Sequence, residues 1–177
     1  MNTNEVAESK PDFRAASTSR KNPKAVADGI GGIIIAIAEI RATPEQVFNA
    51  LTTKEIEQWW KYPGVYFQKD WMADVRPCGQ WSVAVQLQDG QVVHGFGEFC
   101  EICFPEKIVM TRRFDSHPYL GERETTITYR LQTSPCGALV TVRDEGFVGR
   151  SKAAYGNAEI WEKVLGWLAD YFDAMYL

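Results

Sequence analysis

Hydrophobic positions along the chain follow first a continuous run, then a helical spacing, then a two-residue alternation, and finally a broad helical stripe. The run Ile30 to Ile40 reads Ile-Gly-Gly-Ile-Ile-Ile-Ala-Ile-Ala-Glu-Ile. It is β-branched and bounded by glycines, which predicts a buried strand, and it is far short of the ~20 residues a membrane helix needs. Ala42-Thr43-Pro44-Glu45 then changes the period. Thr43 can cap a helix, Pro44 suits its first position, and Val47, Phe48 and Leu51 recur at helical spacing. This predicts a short helix ending near Thr52. A second opens at Thr53 and runs through Glu57 and Trp59, ending with Trp60 before the breaker Pro63-Gly64.

Strands joined by turn signals fill the middle of the chain. Trp71 to Val75 precedes Arg76-Pro77-Cys78-Gly79, after which Trp81, Val83, Val85 and Leu87 alternate with smaller or polar residues. Asp89-Gly90 is a hairpin signal, and Gln91 to Cys103 forms the return strand, closed by Pro105. Ile108, Met110 and Arg112 share a face, as do Ile127, Tyr129 and Leu131, and Pro135-Cys136-Gly137 turns the chain into Leu139 to Glu145. From about Ser151, Ile160, Trp161, Val164, Leu165, Leu168, Tyr171, Phe172 and Met175 form a helical stripe too wide for water, so this helix must lie across the sheet. The order is strand, two short helices, six strands and a long helix.

The segment 1–29 holds only Val6, Phe13 and Val26 as large apolar residues, and is expected to be a disordered tail ahead of one domain over 30–177. It lacks the continuous apolar stretch of a secretory signal, and a cytoplasmic setting is expected. With 19 Lys and Arg against 23 Asp and Glu, the net charge of −4 offers no stripe for nucleic acid. The four cysteines (Cys78, Cys100, Cys103 and Cys136) read as reduced buried thiols rather than a disulfide framework.

Several segments together resemble a known superfamily. They are Ala42-Thr43-Pro44-Glu45-Gln46-Val47-Phe48-Asn49-Ala50-Leu51-Thr52 leading to Trp59-Trp60; Ala73-Asp74-Val75-Arg76-Pro77-Cys78-Gly79-Gln80-Trp81; Gly97-Glu98-Phe99 leading to Pro105-Glu106-Lys107-Ile108-Val109; and the helix Trp161 to Leu168. This pattern, from about Ile33 to Phe172, resembles the START-like or Bet v-like helix-grip (SRPBCC) superfamily, and within it the homologues of the heat-shock-protein-ninety ATPase activator. The resemblance implies an α+β helix-grip fold. A curved antiparallel sheet of about seven strands would wrap the long C-terminal helix, with two short helices after the first strand. It also implies a cavity between sheet and helix that often holds a small apolar or amphipathic molecule, and it implies no reaction. The family usually carries a glycine pair where this chain has Cys78-Gly79, and a glycine before the helix tryptophan where it has Ile160.

Strand parity supplies the sharpest chemical expectation. If Met110 faces inward, so does Arg112, and if Val140 and Val142 face inward, so does Asp144. Two opposite charges then enter one interior, where an unpaired charge is costly. Either an Arg112–Asp144 or similar internal salt bridge forms, or these strand ends already stand in solvent, or Arg112 receives an acidic or carbonyl group of a ligand packed on Trp71, Trp81, Met110, Tyr129, Trp161 and Leu165. Most of the six tryptophans suit core packing. His94 and His117 have no metal-ligand spacing, and Cys100 and Cys103, three apart on a strand, point to opposite faces, so neither a metal nor a redox motif is expected. No phosphate loop or dinucleotide fingerprint occurs, and no cofactor is expected.

Three functions compete at this level. The first is a binding protein for a small hydrophobic or amphipathic molecule. The second is an enzyme of the polyketide cyclase or hydrolase type using Arg112, Asp144, Tyr129 or His117. The third is a module that engages a chaperone ATPase. A homodimer through a free edge of the first strand is a further expectation.

Overall fold

The computed structural model describes residues 23–116 and 121–176. Twelve elements follow in order: β1 (Lys24–Asp28), β2 (Ile33–Ile40), α1 (Pro44–Thr52), α2 (Ile56–Trp59), β3 (Lys61–Tyr62), β4 (Tyr66–Ala73), β5 (Gln80–Leu87), β6 (Val92–Cys103), β7 (Lys107–Phe114), β8 (Thr125–Ser134), β9 (Gly137–Glu145) and α3 (Ser151–Ala174). The strands form one curved antiparallel sheet in the order β1-β2-β9-β8-β7-β6-β5-β4-β3, with α3 on its inner face. This is the helix-grip architecture, with nine strands where the alternation alone indicates about seven.

The two additional strands are weak in sequence for different reasons. β3 spans two residues, too few to show a period. β1 lies inside the segment 1–29 expected to be a disordered tail, so the fold begins at least five residues before the boundary at residue 30. Its inward positions are the small Ala25 and Ala27, which give no hydrophobic signal, and it pairs with β2 along its whole length. The Ala25 amide also donates to Glu162 Oε1 of α3 at 2.8 Å. The earlier part of the expected tail, residues 1–22, lies outside the described residues. β1 also corrects the expected free edge, because β2 is flanked by β1 on one side and β9 on the other. Ile30, assigned above to the buried run, sits in the β1–β2 turn and is 92% exposed. Asp28 closes that turn by accepting from the amides of Ile30 and Gly31, both at 2.9 Å, and these bonds hold its carboxyl below the usual carboxylate range.

Local chemistry explains the elements around the interior. Thr43 and Gln46 form a reciprocal capping box at the start of α1, with Pro44 in the first turn. The turn Arg76-Pro77-Cys78-Gly79 is closed by the Gly79 amide donating to Arg76 O at 2.8 Å, and Cys78 takes the left-handed conformation (φ 63°) in the position where such a turn favours glycine. Asp70 is left-handed as well (φ 56°) and marks a bulge in β4, where the register against β5 shifts between Lys69 and Met72. Because of this extra residue, Gln68 and Trp71, three apart, are both buried.

The core lies between α3 and the sheet. Ile34, Ala36, Ala38 and Ile40 of β2, Val140 and Val142 of β9, and Leu165, Leu168 and Phe172 of α3 are essentially inaccessible. The backbone of α3 lies close along β1 and β2. Small side chains permit this approach: Ala36 and Ala38 on β2 and Ala154, Ala158 and Ala169 on α3 are all buried.

Candidate functional site

Toward β4–β7 the space beside α3 is not filled. An outer compartment of about 330 Å³ is walled by Trp60 after α2, Tyr62 of β3, Val65, Tyr66 and Gln68 around β4, Val85 and Leu87 of β5, Val93 of β6, and Arg112 and Phe114 of β7. From α3 it receives Asn157, Ile160, Lys163 and Trp167. A smaller inner compartment of about 60 Å³ lies among Leu51, Ile56, Trp71, Trp81, Val83, Met110, Ile127 and Tyr129. Trp60, Gln68, Val85, Arg112 and Phe114 line both and form the neck between them.

Aromatic rings set the walls. Trp167 stacks on Tyr62 with centroids 5.6 Å apart and meets Tyr66 edge-on at 5.9 Å. Trp71 stacks on Trp81 at 5.5 Å in the inner compartment. The buried indoles have their N–H groups satisfied by the protein itself: Trp59 donates to Ala50 O, Trp71 to Thr52 O and Trp81 to Thr111 O. Lys163 is exposed at the rim, its Nζ 5.8 Å from the centre of the Tyr62 ring.

The floor is an ion pair that crosses a strand. Arg112 on β7 and Asp144 on β9 are separated by β8, where they oppose Thr125 and Ile127 respectively. Arg112 Nη2 donates to Asp144 Oδ2 at 2.8 Å, and Trp161 Nε1 of α3 donates to the same oxygen at 2.9 Å. Arg112 Nε donates to Thr125 Oγ1 at 3.1 Å. Asp144 is wholly buried while a tenth of the Arg112 side chain remains accessible. Burial pushes the Asp144 carboxyl above its ordinary range, against the opposing pull of Arg112 and of the Trp161 N–H. The same desolvation raises the Tyr129 phenol, and it lifts Tyr66 to about 12. Both phenols are therefore neutral donors near neutral pH.

Parity thus brings Arg112 and Asp144 together, and they pair with each other. Trp71, Trp81, Met110 and Tyr129 line the inner compartment with Arg112, whereas Asp144, Trp161 and Leu165 stand behind it in the core. Most of the outer wall was not singled out from sequence. Val85 and Leu87 belong to the alternation read with Trp81 and Val83 but carry no sign of a site, and Phe114 continues the alternation of Met110 and Arg112, so extending that period by one step finds it. Gln68 has no such signal, because the bulge at Asp70 breaks the phase. His117 lies outside the described residues. His94 is an exposed partner of Asp115, with Nδ1 2.9 Å from Oδ2. Among the described residues no group of three metal-ligating side chains gathers.

Comparison with known proteins agrees with this architecture. A family model described as Activator of Hsp90 ATPase homolog 1-like protein matches residues 41–173. A crystal structure from Rhodobacter sphaeroides superposes with a TM-score of 0.73 at 15% identity, covering 87% of this chain and 99% of that one. One from Chromobacterium violaceum gives 0.69 at 23% identity, covering 80% and 97%. The solution structure of an AHSA1-like protein from Aeromonas hydrophila gives 0.66 at 16% identity, covering 81% and 93%. No curated protein matches the chain. At these identities the structural likeness speaks for the fold alone.

Proposed function

The chain belongs to the Activator of Hsp90 ATPase homolog 1-like family, and from that premise we propose that it binds a small, largely apolar molecule in the cavity between α3 and the open half of the sheet. The observation that carries this reading is the outer compartment. Its volume of about 330 Å³ lies at the small end of the ligand-site range, ~300–1,000 Å³, and it combines aromatic walls with a few polar groups at one neck. A ligand of one or two fused rings fits this space better than a long acyl chain.

Binding is favoured over catalysis by the state of the polar groups. Arg112 and Asp144 are engaged with each other, and Tyr66 and Tyr129 hold their protons well above neutrality. Such groups orient a guest rather than exchange protons with it near pH 7.

Native mass spectrometry of the purified protein, followed by denaturation and organic extraction, tests the proposal. A stoichiometric small molecule released on unfolding is the expected result. The Val85→Trp variant, which fills the neck, should emerge empty while keeping its fold. An adduct that persists in that variant would place the ligand elsewhere and overturn the proposal.

A further inference from the structure

We infer that the cavity selects a neutral ligand that donates a hydrogen bond to the carboxamide of Gln68, rather than an anion drawn by Arg112; this rests on the binding role proposed above. The first observation is charge. Arg112 is the cation that lines both compartments, but Asp144 lies 2.8 Å from its Nη2 and is completely buried. The pair brings no net charge to the neck. A carboxylate entering there would be a third, uncompensated charge in a desolvated site, which is strongly unfavourable. Lys163 does not change this balance, because it is exposed at the rim and its charge is solvated.

The second observation is an unsatisfied group. Gln68 is 9% exposed, lines both compartments, and its Oε1 is buried without a hydrogen-bond partner. A buried carbonyl without a donor is a destabilising feature that proteins seldom keep. The terminal torsion of a glutamine is broad and two-fold, so a half-turn exchanges the two ends of the amide at small cost. As it stands Oε1 is closed off from both compartments; the half-turn brings it to the neck, with the amide nitrogen taking its place, and there it meets a ligand O–H or N–H while Arg112 donates to a neutral oxygen of the same ligand. The flanking Trp60 and Phe114 favour a flat ring between them.

Three probes of equal ring size separate the alternatives: 2-naphthol, which donates; 2-methoxynaphthalene, which cannot; and 2-naphthoate, an anion. Calorimetric titration of the full chain should show 2-naphthol binding about 10-fold more tightly than 2-methoxynaphthalene, the factor that one buried donor–acceptor pair supplies. 2-Naphthoate should bind no better than the ether. In Gln68→Leu the preference for the naphthol should vanish while the ether still binds, and Gln68→Met serves if the leucine variant does not fold. Equal affinity for naphthol and ether, or tightest binding of the naphthoate, overturns the inference and leaves the binding role standing. Failure of all three probes up to their solubility overturns both.

Discussion

The two halves of the sheet treat the same helix differently. Against β1 and β2 the helix α3 settles closely, because Ala25, Ala27, Ala36 and Ala38 face Ala154, Ala158 and Ala169 with little side-chain bulk between the backbones. Against β4–β7 it stands off, and the larger Trp60, Tyr66, Phe114 and Trp167 surround space instead of filling it. Small residues make the tight half and large aromatic ones the open half. The cavity thus opens where α3 is not drawn onto the sheet by small side chains. The Arg112–Asp144 pair, with Trp161 donating from above, is the seam between the halves.

Breaking the seam should have the largest effect. Asp144→Ala leaves the Arg112 guanidinium and the Trp161 N–H buried without their acceptor, and about 3–5 kcal/mol of stability should be lost in urea or guanidinium unfolding. The double variant Arg112→Leu, Asp144→Val should lose clearly less, since it removes both charges rather than stranding one. If the double variant is the worse, the pair is a net stabiliser and not merely a matched liability.

Overpacking sharpens the contrast between the halves themselves. Ala36→Leu inserts bulk where α3 lies closest, and should cost about 1–3 kcal/mol. Val85→Phe adds comparable bulk at the neck of the cavity and should stay within about 1 kcal/mol of the parent, because space is already there. Similar losses from both, measured by denaturant midpoint at constant slope, would mean that the cavity closes in solution.

The smallest effect appears only at high pH. Burial raises Tyr66 in the folded chain to about 12, above the 10.0 of a free phenol. The unfolded chain therefore ionises first, and the stabilising contribution, complete below pH 10, is lost as pH rises through about 12. Tyr66→Phe should flatten the alkaline fall in stability without changing its neutral value much. An unchanged alkaline slope would show that the phenol is hydrated and belongs to the open rim.

Where period and burial coincide, the fold is legible in the sequence. Alternation exposes the inward rows Trp81-Val83 and Ile108-Met110-Arg112, the Thr43 cap followed by Pro44 marks α1, and the stripe from Ile160 to Phe172 marks α3. Legibility fails where the signal is carried by small residues or broken in phase. Ala25 and Ala27 build an edge strand with no large apolar side chain on its inward face, and the bulge at Asp70 turns Gln68 inward against the count. Parity brought Arg112 and Asp144 to one interior and left their partner open. Only the register through β8 shows that they meet each other.

By itself the sequence determined the element order, the inward rows of most strands and the presence of opposite charges beneath a long apolar helix. These follow from local rules, because backbone geometry fixes period and caps within a few residues. The helix's closeness to β2, its distance from β5 and the union of the two compartments at Gln68 were decided by tertiary structure. Such features depend on which side chains meet across distant segments, and no local period carries that information.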